Sequence, residues 1–216
     1  MSVLSADDRS EVNDLLSDMG STVTVHVFTE DGCQYCDETL DLYEDVEGES
    51  ENVVIETHDM SDPLAEELGA TRYDGAPVTV ITQGDVTGVR YFGIPSGQEF
   101  SAFLQALLAV SAGPGSTDLP EEVREEVQAI DEEVELKVFV TPTCPHCPRA
   151  VQVAHNMAIE NDLIEADAIE SQEFMELSQK YGVRGVPQIN VNENGQFTGG
   201  LPPQQFLEEV RSAIDQ

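Results

Sequence analysis

All four cysteines of this 216-residue chain stand in two Cys-x-x-Cys pairs, Cys33–Cys36 and Cys144–Cys147. The thiolate is the nucleophile of thiol–disulfide exchange, and a free cysteine has pKa ~8.5, so it needs help to ionise at neutral pH. A cysteine at a helix N-terminus faces unpaired N–H groups and the positive end of the helix dipole, which favour the thiolate. A second cysteine three residues on lies one turn further in, placed to attack a mixed disulfide and release the product. On this logic Cys33 and Cys144 are nucleophiles, and Cys36 and Cys147 are resolvers.

Two other uses of such pairs compete. Together they supply the four thiolates of a tetrahedral zinc site, but zinc ribbons separate their pairs by ~15–20 residues and here 107 residues intervene. No metal site is therefore expected. A static disulfide across so short a loop restrains little chain entropy; that reading stays open for Cys33–Cys36. The two pairs also differ. Pro145 is read as the first helical position, preset for helix, and His146 offers a hydrogen bond or charge to a thiolate; Gln34 and Tyr35 offer no cation. Both effects stabilise the reduced form, so Cys144 is expected to have the lower pKa and its pair the higher reduction potential. His26, on a strand, His58, at a strand end, and His155, within a helix, are each read as ordinary surface or core residues.

Elements that position the pairs repeat along the chain. An apolar run, Val23–Phe28 or Val134–Phe139, ends in a phenylalanine five residues before the first cysteine of each pair. A helical pattern follows from Cys33 and from Cys144. Further on come Gly75-Ala76-Pro77 and Gly185-Val186-Pro187, whose prolines lie 44 and 43 residues past the first cysteines. Each proline opens a strand pair, around Gly84-Asp85 and around Asn194-Gly195, the latter a strong hairpin signal. A closing helix ends each copy. The order helix, strand, helix, strand, helix, strand pair, helix occurs twice, which indicates an α/β fold with two mixed sheets flanked by helices. Residues 1–112 form the first unit, 113–118 a Gly/Pro/Ser linker, and 119–216 the second unit.

The chain is long enough for two domains of about 100 residues. It has 43 acidic and nine basic residues, for a net charge of −34. Phosphate backbones and anionic membranes repel such a surface, so neither nucleic acid nor membrane is an expected partner. No stretch approaches the ~18 apolar residues of a membrane span, and Met1–Met19 is acidic rather than leader-like. A cytoplasmic location is expected. Regular apolar periodicity argues against acid-rich disorder. A carboxylate-coated, lysine-poor surface instead suits molar salt, where the Debye length is ~3 Å and self-repulsion is screened.

Taken with the strand before each pair and the Gly-x-Pro before each hairpin, the two pairs resemble the thioredoxin superfamily. Over nearly the whole chain the arrangement is similar to archaeal protein disulfide oxidoreductases, also called glutaredoxin-like proteins, which carry two thioredoxin-fold units. The most specific stretch is Phe139–Ala150, with Pro142-Thr143-Cys144-Pro145-His146-Cys147-Pro148; Tyr91-Phe92-Gly93-Ile94-Pro95 also fits the first unit. The N-terminal module of bacterial alkyl hydroperoxide reductase flavoproteins is similar too, although its first unit has typically lost its cysteines. The resemblance implies cis peptide bonds at Pro77 and Pro187, facing their cysteine pairs. It also implies that the backbone of Ala76 and Val186 pairs with extended substrate. It implies reduction, formation or isomerisation of protein disulfides, no cofactor beyond the cysteines, and electrons from a thioredoxin-reductase-like flavoenzyme. Two features depart from thioredoxin. The buried acid six residues before the nucleophile is replaced by Val27 and Val138, and the preceding Trp by Gly32 and Thr143. Relay of reductant to a peroxidase or ribonucleotide reductase, and a non-catalytic substrate-binding holdase, are the competing functions.

Overall fold

A computed structural model describes residues 3–193 and 195–215. In the first half α1 (Ala6–Leu16) is followed by β1 (Val23–Thr29), α2 (Cys36–Glu47), β2 (Val53–Asp59) and α3 (Pro63–Glu67). A 3-10 turn (Ala70–Arg72), β3 (Val78–Gln83), β4 (Val86–Phe92) and α4 (Glu99–Ala112) complete it. The second half runs α5 (Glu121–Gln128), β5 (Val134–Val140), α6 (Cys147–Glu160), β6 (Ile164–Glu170), α7 (Met175–Lys180), β7 (Gln188–Val191), β8 (Gly195–Thr198) and α8 (Pro203–Ile214). Of the Asn194-Gly195 turn, Asn194 lies outside the described residues.

Local chemistry accounts for many of the boundaries. Ser5 caps α1 through a reciprocal pair with Asp8, the Ser5 hydroxyl accepting from the Asp8 N–H and the Asp8 carboxylate from the Ser5 N–H. Asp62 caps α3, whose first residue is Pro63. Residues 113–118 are a pinned connection. The Glu160 carboxylate at the end of α6 accepts from the Gly115 and Thr117 N–H groups and from the Thr117 hydroxyl.

The eight strands form one sheet, in the order β2-β1-β3-β4-β6-β5-β7-β8. The two mixed sheets read from the sequence are therefore halves of one. They join where β4 pairs in parallel with β6, Val89 to Phe92 against Ala166 to Ile169. Pairing covers what would otherwise be two exposed strand edges. Tracing parallel and antiparallel partners across the order shows that β1 and β5 run the same way. Their C-terminal ends, which lead to the two cysteine pairs, thus lie along one edge of the sheet. Four strand spacings separate β1 from β5, roughly 19 Å at ~4.8 Å per strand.

On one face a continuous core crosses both halves. Val25 and Val27 of β1 and Leu136 and Val138 of β5 pack there with Leu42 and Tyr43 of α2, Phe103 and Leu107 of α4, and Val151 of α6. Phe28 and Phe139, the phenylalanines before the cysteines, point to the opposite face, into a second cluster with Ala65, Ala70 and Phe174. Alternation along the strand explains this: Val27 and Phe28 are neighbours, so they face opposite sides. Both cysteine-bearing helices, α2 and α6, consequently lie on the same face.

Candidate active site

Each cysteine pair closes a disulfide, Cys33–Cys36 and Cys144–Cys147. The helices open one turn later than the sequence suggests. α2 begins at Cys36 with Tyr35 as its N-cap, and α6 begins at Cys147 with His146 as its N-cap. The first cysteines precede the helices, where the free N–H groups and the dipole point. Pro145 is correspondingly not the first helical residue. It keeps the residue before it, Cys144, out of the helical region, and the proline of the first turn is Pro148. Cys144 is held instead by a turn, its N–H donating to the Thr141 carbonyl at 3.1 Å. The first pair has the same turn, from the Cys33 N–H to the Glu30 carbonyl at 3.2 Å.

Exposure grades the four sulfur positions. Cys147 is fully buried, Cys36 and Cys144 are nearly so, and Cys33 is partly exposed. The Ala76–Pro77 and Val186–Pro187 peptide bonds are both cis. Strand register sets the two prolines identically: Phe28 pairs with Val78, and Phe139 with Gln188, the residue after the proline in each case. Each proline therefore arrives at the end of the strand that leads into its cysteine pair.

The surroundings of the two pairs differ. At the second pair a groove of about 890 Å³ is lined by His146, Arg184, Val186, Pro187, Thr198 and Gly200, among others. A Cβ on Gly200 would lie 2.7 Å from the His146 carbonyl oxygen, so this wall admits only glycine. His146, which lines it, and the neighbouring Pro145 are both exposed. At the first pair, Gly75 (φ 130°) sits against the Phe174 ring from the other half, 3.1 Å from where its Cβ would be.

Buried acids stand near the pairs, but not at Val27 or Val138. Glu99, at the start of α4, is almost fully buried with no hydrogen-bond partner to either oxygen among the described residues, and burial pushes its carboxyl up to about 8. The residue before it, Gln98, donates its N–H to the Pro142 carbonyl, two residues before Cys144. Glu173, from the second half, accepts from the Ile94 N–H at 3.0 Å. Burial, with the neighbouring Glu170 and Glu38, raises it to about 7. Glu38 is in the first turn of α2, two residues past Cys36. Segment 93–98 links the neighbourhoods: the Gly93 N–H donates to the Pro77 carbonyl and the Gln98 N–H to that of Pro142, both at 2.9 Å.

On the face of the sheet that carries Phe28, β1 and β2 bring together His26, Glu56 and His58. Read singly, the two histidines gave no signal; their juxtaposition depends on the parallel register of β1 and β2. His155 is buried, its Nε2 near the Arg90 carbonyl oxygen, and burial lowers it to about 4.

Known proteins share this geometry. The family model "Thioredoxin domain" matches residues 134–212. A protein disulfide oxidoreductase from Aeropyrum pernix K1 superposes over 100% of this chain and 97% of its own, with TM-score 0.87 and 29% identity. The NTD_N/C domain of alkylhydroperoxide reductase AhpF from Enterococcus faecalis (V583) superposes with TM-score 0.85 at 19% identity, over 96% of this chain and 99% of its own, a likeness of fold. The F subunit of alkyl hydroperoxide reductase from Pseudomonas aeruginosa is 30% identical over 178 residues, 82% of this chain and 31% of that protein. The chain spans between a quarter and a third of the length of the curated relatives it matches first. The chain thus has a thioredoxin-like fold and is similar to a protein disulfide oxidoreductase, with two Cys-x-x-Cys disulfides on one sheet. Among the described residues no helix is long and apolar enough to cross a membrane.

Proposed function

We propose that the chain reduces, forms or isomerises disulfides in protein substrates by mixed-disulfide exchange, with Cys144–Cys147 as the main centre. The observation that carries this reading is the second site itself: a disulfide at the N-terminus of α6, beside an open groove bounded by cis-Pro187. In the reducing direction the Cys144 thiolate attacks a substrate disulfide, forming a mixed disulfide and expelling one substrate thiolate. Cys147, deprotonated, attacks Cys144 Sγ and releases the second substrate thiol. Two electrons pass to the substrate, and the Cys144–Cys147 disulfide remains. Extended substrate pairs with the backbone of Val186 before Pro187, and Ala76 before Pro77 is the equivalent at Cys33–Cys36. Pro145 and His146, both exposed, tune the thiolate. The functional units are 1–112 and 119–216, joined by 113–118, in the cytoplasm of a salt-adapted archaeon. A thioredoxin-reductase-like flavoenzyme supplies the electrons.

The decisive measurement is insulin-disulfide reduction and rescue of scrambled protein in molar KCl. Cys144→Ser abolishes both, while Cys33→Ser leaves most of the turnover. Undiminished turnover in Cys144→Ser overturns the reading, and retained suppression of aggregation without turnover supports a holdase. A second reading, relay of reductant to a peroxidase, is favoured by the 30% identity to the alkyl hydroperoxide reductase of Pseudomonas aeruginosa. It requires the reduced protein to drive hydroperoxide consumption by a dithiol-dependent peroxidase faster than it reduces insulin.

A further inference from the structure

β2 is an edge strand whose partner, β1, lies parallel to it, His26 opposite Glu56 and Phe28 opposite His58. Glu56 and His58 are two residues apart, so both point to the same face, and His26 meets them there. Three atoms converge. His26 Nδ1 lies 3.1 Å from His58 Nε2 and 3.4 Å from Glu56 Oε2; the His58 to Glu56 side of the triangle is 3.7 Å. Tetrahedral ligands at the ~2.0–2.1 Å bond lengths of zinc stand about 3.3–3.4 Å from one another. The triangle has the size that such an ion requires, with no rearrangement of the strands.

Neighbouring groups prepare the ligands. His26 Nε2 lies 3.2 Å from the Thr82 hydroxyl; the tautomer that donates to this oxygen leaves the Nδ1 lone pair aimed into the cluster, the arrangement by which a second contact orients a metal-bound imidazole. The Phe28 ring stacks on His58 with centroids 5.1 Å apart, which fixes its plane. The histidine side chains are 13% and 16% exposed, whereas Glu56 is half exposed, so the fourth position opens to solvent.

We propose that His26, Glu56 and His58 bind one divalent cation of the zinc class, with water as fourth ligand. The ion clips edge strand β2 to β1. Two imidazoles and a carboxylate suit Zn²⁺, Co²⁺ or Ni²⁺ and not Mg²⁺, which prefers an all-oxygen octahedron.

The test uses full-length oxidised protein, whose disulfides offer no thiolates, in molar KCl with excess Mg²⁺ to occupy the other carboxylates. Co²⁺ titrated in gives one equivalent of visible d–d absorption, Zn²⁺ displaces it, and the melting temperature rises. His58→Gln abolishes the signal. Glu56→Gln, at an exposed position that leaves folding intact, weakens binding by at least about tenfold. The Cys33→Ser/Cys36→Ser/Cys144→Ser/Cys147→Ser variant binds as the oxidised protein does. Loss of the signal to Mg²⁺, its loss with the cysteines, or binding unchanged in both His58→Gln and Glu56→Gln overturns the proposal and leaves a hydrogen-bonded imidazole pair.

Discussion

A buried carboxyl without a partner is the residue most exposed to pH in this protein. Glu99 has a folded-state value of about 8 and Glu173 of about 7, against 4.5 for the free side chain. Both values are raised, so the native state binds more protons than the unfolded chain does. Their contribution is complete below about 4.5 and is lost as pH rises toward 8. His155 acts at the other end: its value is lowered to about 4 from 6.5, so its contribution is present above 6.5 and lost as pH falls. Glu99→Gln keeps the shape and removes the titration. The melting temperature of this variant at pH 8 should exceed that of the parent by at least ~2–4 °C, the equivalent of about 1 kcal/mol in a chain of this size. Its decline between pH 5 and 8 should be shallower. An unchanged profile in thermal melts at constant KCl would show that Glu99 stays ionised when folded.

At the scale of elements, the β4–β6 seam is built on charge. Arg90 on β4 and its register partner Asp167 on β6 are both buried, with Nε to Oδ1 at 2.6 Å, and the Tyr73 hydroxyl donates to the other Asp167 oxygen at 2.9 Å. Arg72 bridges Glu165 and Glu135, Arg90 also meets Glu165, and Lys137 meets Glu135. Breaking one partner of a buried pair costs about 3–5 kcal/mol, because a lone charge remains. Arg90→Met should lower unfolding free energy by that amount in denaturant melts, and Arg90→Met/Asp167→Leu should recover most of it. A double variant no better than the single one would remove the stranded charge as the cause. The seam also marks where the sequence stopped being legible. Apolar runs, the Gly-x-Pro motifs and the cysteine spacing carry local signals, so the strands that frame each pair and the repeated order of elements are legible. Pairing of β4 with β6 joins residues such as Arg90 and Asp167, 77 positions apart, and leaves no local period, so the sequence alone suggests two sheets where there is one. Its trace is in the charged residues Arg90 and Lys137, each inside a largely apolar strand, where burial demands a partner such as Asp167. The histidine cluster was hidden for the same reason: register, not composition, brings His26 to His58.

For the whole molecule, charge sets the conditions of folding. Three of the nine basic residues, Arg72, Arg90 and Lys137, are engaged in the seam. Few cations therefore remain to offset the 43 acids elsewhere. Dialysis from molar KCl into dilute buffer lengthens the Debye screening distance from ~3 Å to ~30 Å and restores that repulsion. The melting temperature should fall by more than ~10 °C, most of it recovered on returning the salt. Equal melting temperatures in the two buffers would remove salt adaptation from the reading of this surface.

One continuous sheet also has a kinetic consequence. Thiol–disulfide exchange needs direct contact between an attacking sulfur and a disulfide, yet the strands leading to the two pairs stand roughly 19 Å apart. Their separation is set by paired strands, not by a hinge. Electrons therefore cannot pass between Cys33–Cys36 and Cys144–Cys147 within one molecule by a single exchange. Any traffic between them is bimolecular, through a shuttling dithiol or a second copy of the chain, and its rate scales with the concentration of that carrier.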